Sequence, residues 1–168
     1  MTFQAEDFLG YWLFRAQRSV VYAFYEALKA CCQEYDKPYV VTPPQFGVLS
    51  LLDEQRGMTI GAISQKRGVD AATITGIVTR LEQSGLVERR HDRKDRRQVY
   101  VFLTSEGSDI MRYLPDVAAA LTGTLMKGFT QDEQQDLIAK LQQILANLSA
   151  VEPDPKVGAD LLPNFREG

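Results

Sequence analysis

Between Asp70 and Gly85 apolar residues recur at the spacing of a single helical face, at Ile74, Ile77, Val78 and Leu81. Asp70 can accept hydrogen bonds from the unpaired N–H groups of a first turn, and Gly85 tolerates the left-handed backbone on which helices end, so the pattern predicts a helix between them. Its opposite face carries Ala72, Thr75, Gly76 and Thr79, flanked by Thr73 and Arg80, and none of these is bulky and apolar. Such a face can lie close against a nucleic-acid groove. Upstream, Thr59 to Lys66 predicts a shorter helix with Thr59 as N-cap, Ile60 and Ile63 on the inner side, and Gly68 in the turn that follows. Helix, short turn and helix in this order can place the second helix in the major groove. After Gly85 the period changes. Leu86-Val87 leads to a charged tip, and the chain returns through Val99, Val101 and Leu103 alternating with Tyr100 and Phe102, which predicts a two-stranded hairpin.

Around this centre the pattern is helical. From about Glu6 to Glu34 the apolar residues, many of them aromatic (Phe8, Tyr11, Trp12, Phe14, Tyr22, Phe24, Tyr25), cover too much of the circumference for a helix resting on one core. Burial on more than one side is therefore expected. Arg15 and Arg18 sit among these rings one turn apart, placed either to pair with acids and stack on rings or to hold an anionic ligand. Thr42-Pro43-Pro44 predicts the start of a second helix, where proline's missing N–H costs little, with Phe46, Leu49 and Leu52 inside and Gly57 just past its end. Thr104 is the expected cap of a long helix carrying Ile110, Leu114, Val117, Leu121 and Leu125, kinked at Pro115. Thr130 and Glu133 have capping-box spacing before a last helix with a seam of Leu137, Leu141, Ile144 and Leu148. That seam packs either within the chain or, as the overloaded first helix suggests, against a second copy. Past Ser149, Pro153, Pro155 and Pro163 preclude regular helix, and Leu161, Leu162 and Phe165 form either an arm on a neighbour or a loose tail. The expected fold is mainly α with a small two-stranded β wing.

Composition leaves this picture in place. A chain of 168 residues, 45% hydrophobic and 24% charged, has the size and balance of one soluble domain. Glu6 and Asp7 stand where a signal peptide needs positive charge, and no apolar run approaches about 18 residues, so a cytoplasmic location and no membrane partner are expected. Cys31 and Cys32 are adjacent, which is poor geometry for a mutual disulfide. Charge does change the picture. The net value of −3 argues against DNA as a partner, yet residues 56–97 hold ten Lys or Arg against five acids, so a basic surface of +5 rides on a body of −8. Nine residues of that stretch form the hairpin tip, Arg89 to Arg97, where a loop could reach the DNA backbone or minor groove. Catalysis has little to work with: the one histidine, His91, lies in the basic hairpin, and there is no GxGxxG, P-loop, CxxC or HExxH. Neither an enzyme nor a cofactor or metal is expected.

The run T-x-x-Q-F-x-V-L from Thr42 to Leu49, then Thr59, then Thr75 with Leu81 and Gly85-Leu86-Val87-x-Arg89, then Asp95-Arg96-Arg97 and Leu103-Thr104-x-x-Gly107, resembles the DNA-binding core of the MarR (multiple antibiotic resistance regulator) family. The match extends in order over roughly residues 8 to 148. It implies a homodimeric transcription regulator, responsive to ligand or redox state, with residues 42–103 reading double-stranded DNA at an inverted repeat. Residues 1–41 and 104–149 would dimerise, with 150–168 an extension that the family pattern does not require, all within a single domain. Gly76 inside the reading helix departs from the family pattern, at a cost of about 1 kcal/mol of helix stability relative to Ala. The expected DNA contacts are Thr73, Thr75, Gly76, Thr79 and Arg80, with Arg93, Arg96 and Arg97 from the wing and Asp95 steadying its tip. The resemblance also implies a pocket for a small aromatic or phenolic effector, for which Tyr11, Trp12, Arg15, Arg18, Phe46 and Met111 supply rings, walls and guanidinium groups. Two alternatives stay open: a redox switch at Cys31 or Cys32, although family sensors carry their cysteine near the start of the first helix, and a winged helix used only for protein contact.

Overall fold

The computed structural model describes residues 7–91 and 98–148. These form two compact units, one ending at Leu125 and one beginning at Met126. In the first, α1 (Leu9–Glu34) leads through a loop to α2 (Pro43–Gln55), β1 (Met58–Thr59), α3 (Ile60–Arg67), α4 (Ala71–Gln83), the hairpin β2 (Val87–His91) and β3 (Val99–Leu103), then α5 (Ser105–Ile110) and α6 (Leu114–Leu125). This is the expected winged helix-turn-helix, and α2, α3, α4 and α5 begin where the capping residues stand, whereas α1 starts after Phe8 with no side-chain cap. Thr59 Oγ1 accepts from Ala62 N at 3.2 Å, and Thr104 Oγ1 accepts from Gly107 N at 3.0 Å. At α2 the cap is a full box, because Gln45, itself buried, turns its amide oxygen back to Thr42 N at 2.8 Å.

The core gathers apolar positions from every layer of this unit. Leu28 of α1, Leu49 and Leu52 of α2, Ile63 of α3, Ile74 and Leu81 of α4, Leu86, Val101 and Ile110 form one buried cluster. Each such side chain contributes roughly 1.5–3 kcal/mol by leaving water. By contrast, only Leu28, Cys31 and Cys32 of α1 are buried, and Phe8, Leu9, Trp12, Phe14 and Tyr22 are exposed. The wide burial expected for this helix is therefore not supplied by its own unit.

Two elements differ from the sequence expectation. The sheet has three strands in the order β1-β3-β2, with Met58 opposite Val101 and Arg89 opposite Val101 on the other side. A two-residue strand is too short to show periodicity, and β1 exists because β3 offers it a hydrogen-bonding edge. The single kinked helix after Thr104 is in fact two. Pro115 has no N–H to return to Met111 and its ring would crowd that carbonyl, so the chain turns through Met111, Arg112 and Tyr113 and restarts as α6 with Pro115 in its first turn.

The second unit holds α7 (Gln131–Leu148). Its capping box forms as expected: Thr130 N donates to Glu133 Oε2 at 2.8 Å and Glu133 N donates to Thr130 Oγ1 at 3.3 Å. None of its residues is buried, and Ile138, Leu141, Leu145 and Leu148 are exposed. No helix among the described residues is long and apolar enough to cross a membrane. Residues 92–97 of the wing tip and the tail with Leu161, Leu162 and Phe165 lie outside the described residues.

Candidate nucleic-acid interface

The cap of α4 is double: one Asp70 carboxylate oxygen accepts from Thr73 N at 2.9 Å and the other from the Thr73 hydroxyl at 2.6 Å. The hydroxyl and backbone donors of Thr73 hold the Asp70 carboxyl below its ordinary range. Thr73, expected to face DNA, therefore has its hydroxyl proton committed to the cap. Ile74, Ile77, Val78 and Leu81 are buried as the periodicity predicted, which turns the other face outward. On that face Ala71, Ala72, Thr75 and Arg80 are exposed, and Thr73, Gly76 and Thr79 are half-exposed. The hydroxyls of Thr75 and Thr79 donate back to the carbonyls of Ala71 and Thr75, at 2.7 and 2.8 Å. In this state Thr75 presents an oxygen acceptor suited to the amino groups of adenine and cytosine in the major groove, whereas the Thr79 oxygen already accepts from Arg89. A Cβ added to Gly76 would meet no atom within 4 Å, so nothing in the protein's own packing asks for glycine there.

The arginines of the wing root serve the protein itself. Arg89 on β2 forms an ion pair with Glu82 and donates to Thr79 Oγ1 at 3.0 Å, clamping the hairpin to the reading helix. Arg90 pairs with Glu88 and lies 5.1 Å over the Phe102 ring. Sequence reading counted both as part of the basic tip and missed the clamp, whose only trace was the order of Thr79, Glu82 and Arg89 across a helix end and a strand start. Arg80 has no ion-pair partner among the described residues. Arg93, Asp95, Arg96 and Arg97 lie outside the described residues.

Behind the wing the backbone closes tightly. Thr104 Oγ1 donates to Gly85 O at 2.6 Å and Thr104 N donates to Leu86 O at 3.1 Å. A Cβ on buried Gly107 would stand 2.0 Å from Leu86 O, so α5 sits on the root of the hairpin only because position 107 has no side chain. Glu106, next to it, accepts from Lys37 Nζ at 2.7 Å and from Tyr39 OH at 2.6 Å, tying the loop between α1 and α2 to α5. These two donors hold the Glu106 carboxyl below its ordinary range, and the same contact raises Lys37.

Of the expected effector residues, the structure brings Tyr11, Trp12 and Arg15 together on the exposed part of α1. Arg15 donates to Tyr11 OH at 3.1 Å, and its guanidinium lies 5.5 and 5.6 Å from the Tyr11 and Trp12 ring centres. Arg18 is exposed one turn further along. Phe46 and Met111 belong instead to the core region, Phe46 edge-on to Phe24 at 5.2 Å and Met111 buried. A separate groove of about 530 Å³ runs between α1 and α6 and has none of these six residues in its lining. Cys31 and Cys32 are free and buried. Burial raises both thiols, and at Cys31 the neighbouring Cys32 and Glu34 add to it. A raised thiol is a poor peroxide sensor, which weighs against the redox alternative.

Residues 41–99 match the model of the MarR family. The HTH-type transcriptional regulator TtmR of Methylorubrum extorquens is 33% identical over 135 residues, covering 79% of this chain and 65% of TtmR. The chain thus spans just under two thirds of that relative's length. Among solved structures, a mutant MarR from E. coli complexed with operator DNA is 27% identical with a TM-score of 0.65, covering 78% of this chain and 91% of that one. BpsR of Bordetella bronchiseptica, whose DNA binding is regulated by 6-hydroxynicotinic acid, is 25% identical with a TM-score of 0.74, over 86% of this chain and 97% of its own.

Proposed function

Because the chain belongs to the MarR family of DNA-binding winged helix-turn-helix transcription regulators, we propose that it acts as a homodimeric repressor that grips an inverted repeat and is released by a small aromatic carboxylate or phenol. The observation that carries the DNA reading is the outer face of α4, small and hydrogen-bonding from Ala72 to Arg80 and held at both ends by the Asp70 cap and the Arg89 clamp. Two such helices enter successive major grooves about 34 Å apart, one turn of B-DNA. Thr75, Thr79 and the backbone at Gly76 meet base edges, Arg80 meets phosphates while Thr73 stays with the Asp70 cap, and Arg96 or Arg97 enters the minor groove beside Arg93, with Asp95 bracing the tip. Dimerisation covers the apolar surface that each protomer leaves open on α1 and α7, and residues 1–41 and 104–149 supply it within one functional domain.

For the effector, Arg15 already lies over two rings, an arrangement that can take a carboxylate with the aromatic body stacked beside it. The regulation of BpsR by 6-hydroxynicotinic acid, an aromatic carboxylate, supports that ligand class. To act as a switch the ligand must bind the DNA-free conformation more tightly than the bound one. The test begins by selecting an operator from random duplexes with the wild-type protein and measuring stoichiometry by sedimentation. A palindromic consensus bound by two chains is expected; a single half-site bound by one chain overturns the dimer reading. Aromatic carboxylates are then titrated into the complex formed by wild type, Arg15→Ala and Arg18→Ala. Release in wild type and loss of response in one variant is expected, and equal response in all three removes both arginines from the effector site.

A further inference from the structure

The groove between α1 and α6 has a chemistry opposite to that of the Arg15 cluster. Its floor is apolar, built from Ala27, Ala30, Val117 and Leu121, and its volume of about 530 Å³ falls inside the range of roughly 300–1,000 Å³ that holds drug-sized ligands. At one side Tyr35 and Tyr113 stack with ring centres 3.7 Å apart and planes 21° from parallel. Tyr35 remains 40% exposed, and both rings line the groove. Glu34 and Asp116 also line it, neither ion-paired among the described residues, and no basic side chain does. The Tyr35 hydroxyl senses this environment: desolvation raises it most, and Glu34, Tyr113, Cys31 and Asp116 each push it further in the same direction. The nearby cations are committed elsewhere, Lys37 to Glu106 and Arg112 to Asp109.

We propose that this groove binds a lipophilic organic cation, a quaternary or protonated amine bearing an aromatic group. Its charge lies between the carboxylates of Glu34 and Asp116 and against the face of the stacked tyrosines, where a ring quadrupole attracts it. Its apolar body covers the alanine, valine and leucine floor. An aromatic carboxylate is disfavoured in the same place, because two unpaired carboxylates would face it with no compensating cation. The chain therefore carries a second ligand site of opposite sign to the one proposed beside Arg15, and the two sites are separable by mutation.

The test is calorimetric titration of the full chain, without DNA, with para-hydroxybenzyltrimethylammonium and with its neutral isostere para-neopentylphenol. Saturable binding of the cation at one site per chain is expected, with the neutral isostere weaker by about tenfold or more. Glu34→Gln combined with Asp116→Asn should weaken the cation by a similar factor and leave the isostere unchanged, while Arg15→Ala should leave both unchanged. Tyr35→Leu is the second variant, removes half of the aromatic wall, and should also weaken the cation. Equal affinity for cation and isostere, an unaltered cation affinity in the double variant, or no saturable heat would each overturn the proposal. Failure here leaves the effector reading at Arg15 untouched, since that reading is scored by release from DNA.

Discussion

Position 76 lets the demands of folding be measured apart from those of the proposed DNA contact. In the free protein a Cβ there meets nothing within 4 Å, and the residue lies in the middle of α4. Gly76→Ala should therefore stabilise the helix by about 1 kcal/mol, the difference in helix propensity, which for a chain of this length corresponds to a rise of roughly 2–4 °C in Tm. On DNA the sign reverses. If the backbone at Gly76 lies against the groove, the isobutyl group of Gly76→Leu must either push the helix out or displace base contacts, and losing one or two good contacts costs roughly 1–3 kcal/mol, about a 5- to 150-fold loss of affinity. Thermal unfolding of wild type, Gly76→Ala and Gly76→Leu is paired with fluorescence anisotropy on the selected operator at fixed salt. Stabilisation by Gly76→Ala together with loss of operator affinity in Gly76→Leu is the expected combination. Wild-type affinity in Gly76→Leu would show that this stretch of α4 does not approach DNA closely and would move the reading surface elsewhere.

The root of the wing should be far less tolerant: Gly107→Ala, whose methyl would stand 2.0 Å from Leu86 O, is expected to cost on the order of 2–4 kcal/mol in chemical denaturation, and a loss below about 0.5 kcal/mol would mean that α5 can shift freely. Arg89→Met, which keeps the stem but removes the clamp on Glu82 and Thr79, should weaken operator binding while circular dichroism stays native; unchanged affinity would leave Arg89 no positioning role. Because the folded Glu106 carboxyl is held below its ordinary range, its contribution is complete above that range and is lost as pH falls through the lowered folded value. Wild type should therefore lose more stability than Glu106→Gln on acidification below about pH 5, by roughly 0.5–1 kcal/mol given the partial exposure of the pair, and parallel pH profiles would refute the coupling. Arg97→Ala should reduce the slope of log affinity against log salt by about one unit, and an identical slope would take Arg97 off the phosphate backbone.

Much of this protein was legible in its sequence because the determining interactions are local. Thr59, Asp70, Thr104 and Thr130 each bond within three residues of themselves, so their helices begin where the caps stand. The apolar face of α4 was readable for the same reason: one buried stripe repeats along thirteen residues, and the rest of the helix is left to face outward. The family motif added the order of these elements and the expectation of a DNA partner. What the sequence could not decide depends on atoms far apart along the chain. Strand β1 exists through pairing with β3, some forty residues away in sequence. Arg89 leaves the basic tip to clamp α4 because Glu82 and Thr79 happen to lie across from it, and charge counting treats all arginines alike. Position 107 must be glycine because of a carbonyl at Leu86. Pro115 announced a disturbance, but whether the helix would bend or break rested on the packing of Ile110, Met111 and Leu114, all buried in the core that the turn serves. Local hydrogen bonds and periodicity are written in adjacent residues; the groove between α1 and α6, with its stacked tyrosines and unpaired acids, comes into being only when two helices separated by about eighty residues pack side by side.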